Sequence, residues 1–422
     1  MARPPTDKCH AGYLVLFLQG VAALLPWNVF ITADGYFATR LVGTPVHESF
    51  LTWFSMGFNL TALFVLAINT LFLRSFLPRP SVKITIALVG ILLVVFLSTV
   101  LVKTPSITGM VFFNMTMCSI VVASICSAYL QEGLFELASA FPEIYTQAIM
   151  TGQSLAGFIV ALSSFVITWA HLDPALILAS VVVPWAVTDT ETSAFSYFVS
   201  VLATIGLASV AFAGFLRLPL ARYYMAPPAE VAASLESLLE DAPVRKGTQN
   251  PAKLLWRVRA HASAVFATFF VTLALFPVLT SAIRSSNPSP AVRALFTPLS
   301  FVLFNGGDLL GRVLAGYAPT LLRGRGLLVV ALLRVSFLPL FGLCRLTTSG
   351  HSVVFDHDAY PIVFLVLCAV SNGVLISLSM MQSAHSVAPH QRELTGALMF
   401  FCLTSGCTAG AVASFGTHAW LL

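Results

Sequence analysis

Charged side chains are scarce in this sequence: Asp, Glu, Lys and Arg together make up 9% of it, against about a quarter in soluble domains. Hydrophobic residues make up 58%, and the mean hydropathy is +0.90. So few charges cannot coat a water-soluble globule, and so much apolar surface cannot be hidden inside one. A soluble fold is therefore excluded. Catalytic signatures are missing too. There is no HExxH, GxSxG, Walker loop or Cys/His cluster, so no enzyme activity, cofactor or metal is expected. None of the cysteines forms a CxxC pair; they read as small buried hydrophobes and not as a disulfide framework. The net charge of +5 does not imply a nucleic-acid partner, because cytoplasmic loops of membrane proteins are rich in Lys and Arg. A cleavable signal is not expected either. The first apolar run, residues 12–33, contains Pro26, Trp27 and Asn28 and exceeds the roughly 7–15 residues of a signal core.

What is present is a series of long apolar runs. A helix needs roughly 20 mostly apolar residues to cross a bilayer. Spans are expected at 12–34, 50–73, 83–102, 107–131, 144–170, 193–216, 262–283, 294–317, 325–344, 360–382 and 394–421, which makes an all-α integral membrane protein of eleven transmembrane helices. A shorter run, 174–188, bounded by Asp173 and Asp189, reads as a re-entrant or interfacial segment. The longest hydrophilic stretch divides the chain into a six-helix part over 1–216, a loop over 217–260 and a five-helix part over 261–422. Within that loop, residues 230–241 place Val231, Leu235, Leu238 and Leu239 at the spacing of an amphipathic surface helix. Five Lys or Arg, namely Arg40, Lys103, Arg284, Arg293 and Arg345, fall in the loops on one side, after spans one, three, seven and nine; Arg312 and Arg334 fall inside spans, and the others lie on the opposite side. This bias predicts a cytosolic N-terminus and an extracellular C-terminus.

Polar residues inside the spans mark candidate function. Leu24, Trp27, Asn28 and Ile31 follow i, i+3, i+4, i+7 and share a helix face. An amphipathic aromatic beside an amide suits a planar, hydrogen-bonding ligand; a kinked packing helix with Asn28 bonding a neighbour fits equally. Phe301, Asn305, Asp308 and Arg312 form a second stripe at i, i+4, i+7, i+11. Each charge on it costs about 2.5–3.5 kcal/mol at mid-membrane. The two can neutralise one another at i, i+4, either as a ligand site or as a structural or gating pair. Gly307 and Gly311 allow a neighbouring helix to approach that span closely. Gln131 offers both donor and acceptor. Glu132 and Glu136 form a like-charge i, i+4 pair whose simplest reading is a solvated helix end. Arg334 is a lone intramembrane cation that would reach a carboxylate or snorkel. Ser371, Asn372, Ser377 and Ser379 read as interhelical hydrogen-bonding groups. Polar groups drawn from both halves of the chain fit a single-chain transporter with one central pathway.

At these residues the sequence resembles the equilibrative nucleoside transporters. The likeness covers nearly the whole chain: "LLPWNVFITADGYF", "TGQSLAG", "DTETSAFSYF", "ARYY", "FNGGDLLGR", "LLRVSFLPLF", "SNGVLISL" and "RELTGALMFF" occur in the family's order. The resemblance implies a 6+5 variant of the major-facilitator architecture and facilitated, down-gradient transport of nucleosides at the plasma membrane, with nucleobases as a further substrate class. It also implies a protein that functions as a monomer. By position it implies a substrate cavity lined by Leu24, Trp27, Asn28, Gln131, Phe276, Phe301, Asn305, Asp308 and Arg312. Glu132 and Glu136 stand where close relatives carry small residues. An organic-cation carrier on the same scaffold would use one of them as its counter-ion, and a non-transporting receptor or scaffold would use the polar spans only for packing.

Overall fold

The structure is a computed structural model that describes residues 5–70, 78–104, 106–107, 109–172, 190–225, 250–276, 282–346 and 353–421. The expected segments 174–188 and 230–241 lie outside the described residues. Long helices follow one another as α1 (Ala11–Thr32), α2 (Phe50–Ile68), α3 (Pro80–Val102), α4 (Gly109–Ala140), α5 (Glu143–Leu172), α6 (Thr190–Phe215), α7 (Arg259–Leu275), α8 (Pro290–Tyr317), α9 (Arg325–Gly342), α10 (Ala359–His385) and α11 (Arg392–Leu421). Among the described residues ten helices are long and apolar enough to cross a membrane, and eleven spans result when α7 is joined to the short helix Pro251–Arg257, from which it bends by 82°. Pro26 and Pro298 stand inside α1 and α8 without ending either helix.

Three departures from the expected spans have local causes. α4 runs to Ala140, nine residues beyond the predicted end at 131, because its last turns are buried among other helices instead of meeting water. α7 stops at Leu275, where Phe276 turns to an extended conformation (φ −107°, ψ 132°) one residue before Pro277; a residue preceding proline is driven out of the helical region. α9 tightens to a 3-10 turn at Arg334–Ser336, which ends three residues before Pro339 removes a backbone donor.

Helices α1 to α6 pack among themselves, as do α7 to α11, and the two bundles meet where α5 lies on α8 and α4 lies on α11. Glycines permit the closest crossings. A Cβ on Gly20 of α1 would overlap the carbonyl of Ile149 in α5, and one on Gly373 of α10 would overlap the carbonyl of Asp308 in α8. The Gly307/Gly311 pair meets α10 in the same way, at Ala369 and Val370. Without water in the hydrocarbon region, such van der Waals contact and interhelical hydrogen bonds hold the helices together.

The seam between the bundles is shut at the end that carries the starts of α1, α5 and α11. There one apolar core crosses from the first bundle into the second, taking in Ile376, Met380, Leu394, Leu398, Met399 and Phe400. The rings of Phe135 and Phe400 stack 5.3 Å apart across it. Cysteines are all free; five are buried or half-buried as expected, but Cys9 and Cys118 are exposed.

Candidate functional site at the seam

Asp308 and Arg312 stand one turn apart on α8, so Nε of Arg312 reaches Oδ2 of Asp308 at 2.8 Å. They are 6% and 7% exposed. An ion pair this deep needs further hydrogen bonds to offset its lost hydration, and it has them. Asp308 Oδ2 also accepts from Ser154 Oγ of α5 (2.7 Å), and Oδ1 accepts from Asn372 Nδ2 of α10 (2.7 Å). Nη1 of Arg312 donates to the backbone carbonyl of Met150 on α5 at 2.9 Å. The pair therefore ties the two bundles together. The seam continues toward the N-terminal end through Gln147. Its amide nitrogen donates to Thr151 Oγ1 (2.8 Å) and more weakly to the Arg312 carbonyl (3.4 Å), and its Oε1 accepts from Tyr13 of α1 (3.0 Å).

One turn further along α8, Asn305 donates to the Phe301 carbonyl at 2.9 Å, and its Oδ1 leans on Gly157 of α5. Phe276 stacks on Phe304 at 4.1 Å and meets Phe301 edge-on at 4.9 Å. An aromatic corner thus adjoins the amide and the ion pair. Phe276, Phe301, Asn305, Asp308 and Arg312 form one connected group in the second bundle. Leu24, Trp27 and Asn28 lie on α1 of the first bundle, each partly exposed, with the Trp27 ring 4.8 Å from Phe58. Gln131 of α4 accepts from Gln153 of α5 at 3.1 Å, which places it beside the residue preceding Ser154.

Glu132 and Glu136 are not a solvated helix end. They are 1% and 5% exposed. Lys83 lies between them, with Nζ 3.2 Å from Glu132 Oε2 and 2.8 Å from Glu136 Oε2. Asn69 and Thr70 of the α2 end donate to Glu132 (3.1 and 3.4 Å). Lys83, the first residue of the expected span 83–102, is itself 2% exposed near the start of α3. Both carboxylates serve the packing of α2, α3 and α4, which removes the reason to read either as the counter-ion for an organic cation. Arg334 neither meets a carboxylate directly nor snorkels. It is 2% exposed and donates to Thr272, Ser371 and Cys368.

Sequence reasoning passed over Ser154, Met150 and Gln147. A signal was there for two of them: Gln147, Thr151 and Ser154 recur at i, i+4, i+7, a polar stripe on an apolar helix. Met150 contributes only its backbone, which no sequence pattern reveals. Among the described residues no group of three or more His, Cys, Asp or Glu could hold a metal ion.

Comparison with known proteins bears on the family and the fold. The model of the nucleoside transporter family matches residues 117–419. The mouse equilibrative nucleoside transporter 2 is 34% identical, and the match covers 97% of each chain. The human equilibrative nucleoside transporter 1 is 32% identical, again over 97% of each. Among solved structures, the E. coli fucose:proton symporter superposes with a TM-score of 0.57 at 13% identity, covering 99% of this chain and 93% of that one. A human organic anion transporter superposes with 0.51 at 16% identity, covering 98% and 95%. Likeness at that identity concerns the fold alone, a packing of long helices in two bundles.

Proposed function

The chain belongs to the nucleoside transporter family, and from that premise we propose that it carries nucleosides, purine and pyrimidine, across a membrane down their gradient by alternating access. The observation that carries this reading is the placement of Asp308 and Arg312. A charged pair on the second bundle is held by Ser154 and the Met150 carbonyl on the first, at the seam that must open and close. In transporters of this architecture, substrates bind near the midplane between the bundles, which rock around them. Transport breaks no covalent bond in the substrate, and Asp308 and Arg312 need only exchange protein partners for substrate ones.

On this reading Asp308 accepts from ribose hydroxyls, and Arg312 donates to ribose or base oxygens. Asn305 and Gln131 each offer an amide to the base, and Trp27, Phe276 and Phe301 supply flat apolar contact; Leu24 and Asn28 complete the wall on α1. The six-helix bundle spans 1–216, the loop 217–260 and the five-helix bundle 261–422. The bias of Lys and Arg supports a cytosolic N-terminus; on this reading the membrane is the plasma membrane, and one copy contains the whole pathway. Tracer flux in proteoliposomes tests the reading. Saturable uridine or adenosine flux that equalises concentrations and exchanges with unlabelled nucleoside is the expected result. Monoamine flux without nucleoside flux, or no flux of either, would overturn it.

A further inference from the structure

Arg334 lies off the α8 stripe, in the 3-10 turn of α9, yet it is connected to Asp308 through two side chains. Its Nη2 donates to Thr272 Oγ1 of α7 at 2.6 Å. Thr272 donates to Asn372 Oδ1 at 2.7 Å, and Asn372 Nδ2 donates to Asp308 Oδ1 at 2.7 Å. The direction of this chain follows from its two ends. A guanidinium can only donate and a carboxylate only accepts. Thr272 has one proton. Having accepted from Arg334, it directs that proton to Asn372 Oδ1, and with Oδ1 engaged the NH2 of Asn372 faces Asp308.

We propose that Arg334 is a positioning residue which, through Thr272, fixes the amide orientation of Asn372 and so holds the Asp308 carboxylate in place to read the sugar hydroxyls. The proposal rests on the reading that Asp308 meets those hydroxyls. Without Arg334, the Thr272 hydroxyl is free to bond back to its own helix, as neighbouring Thr268 does to the Ala264 carbonyl at 2.7 Å. Asn372 Oδ1 then loses the donor that pins it inside a buried site. The amide is held only by its own bond to Asp308, and the two side chains can swing together away from the position that the relay fixes. All four residues belong to the second bundle, so the arm travels with Asp308 when the seam opens. Ser154 does not: it sits on α5 and leaves Asp308 as the bundles part. The arm therefore keeps the carboxylate aimed in the states where the cross-seam bond is absent.

The test is the ratio of affinities for a ribonucleoside and its 2′,3′-dideoxy analogue, measured by tracer displacement on membranes holding the full chain. A ratio of two affinities does not depend on how much protein folds. Thr272→Val preserves shape and removes the relay; Thr272→Ser preserves the relay. Thr272→Val is expected to lower the ratio on the order of tenfold, the effect of one buried hydrogen bond, while Thr272→Ser keeps the wild-type value. Arg334→Met is expected to lower it by a similar factor, and the double variant to fall no further than about twofold below either single one, because both changes cut the same chain. An unchanged ratio in Thr272→Val, or losses that multiply in the double variant, overturns the proposal. A wild type that binds neither nucleoside overturns the functional reading instead.

Discussion

The hydroxyl of Ser154 donates to Oδ2 of Asp308 across 2.7 Å, and with the Arg312–Met150 bond it links α5 to α8 at their buried crossing. A bond between bundles that must separate during transport favours the closed state of the seam. Charge-assisted hydrogen bonds contribute about 1.5–3 kcal/mol, so Ser154→Ala is expected to raise the open population of this end on the order of tenfold. The check is the reaction rate of a cysteine placed at Met150, whose side chain is fully buried, with a membrane-permeant maleimide. Faster labelling in the Ser154→Ala background is the expected outcome, and equal rates would show that this bond does not gate the seam.

Lys83 is the shared partner of Glu132 and Glu136 inside the first bundle. Removing one partner of a buried ionic cluster costs about 3–5 kcal/mol, because a charge remains behind unpaired. Lys83→Met should sharply reduce the amount of folded protein, seen as a loss of the monodisperse peak in detergent. Adding Glu132→Gln should restore part of it by removing one stranded carboxylate. No rescue by the second change would place the cost elsewhere than in the ion cluster.

Gly373 of α10 sets the distance to α8, since a Cβ there would overlap the carbonyl of Asp308 and lie 2.8 Å from the amide nitrogen of Arg312. Gly373→Ala must push α8 outward at the two residues that carry the ion pair. Overpacking of this kind costs about 1–3 kcal/mol. The expected outcome is a lower melting temperature together with weaker nucleoside binding. Gly206→Ala is the control, because a Cβ at Gly206 meets nothing within 4 Å, and it should leave both measurements unchanged.

Asp358 precedes α10 and gathers the loop before α8: Ser285 Oγ donates to its Oδ2, and the Ser286 amide and hydroxyl donate to its Oδ1 at 2.7 and 3.0 Å. Burial works to raise its pKa, but the bonds from Ser285 and Ser286 outweigh it and, with His357 nearby, hold the carboxyl below its usual range. A depressed carboxylate stabilises the folded state above the unfolded pKa of about 4, and that contribution is lost as pH falls through the lower folded value. Melting curves between about pH 5 and 3 should therefore show an acid-dependent loss that Asp358→Asn flattens. Identical slopes in the two proteins would mean that these bonds do not titrate with folding.

How much of this was legible beforehand follows from the range of each interaction. The sequence alone determined the solvent, the number of spans and the stripe of Phe301, Asn305, Asp308 and Arg312, because hydropathy and helical periodicity are local properties of adjoining residues. It also carried enough ordered motifs to identify the family. The environment of Glu132 and Glu136 was decided only by tertiary structure: the same i, i+4 carboxylates are a solvated end or a buried cluster according to whether Lys83, about fifty residues away in the chain, is folded against them. Ser154, Met150 and Thr272 depended on it as well. Each acts on a group more than sixty residues distant, one of them through a backbone carbonyl that every residue possesses. Helix pattern determined which side chains share a face; glycine-set crossings of α5, α8 and α10 decided which atoms come within hydrogen-bonding distance.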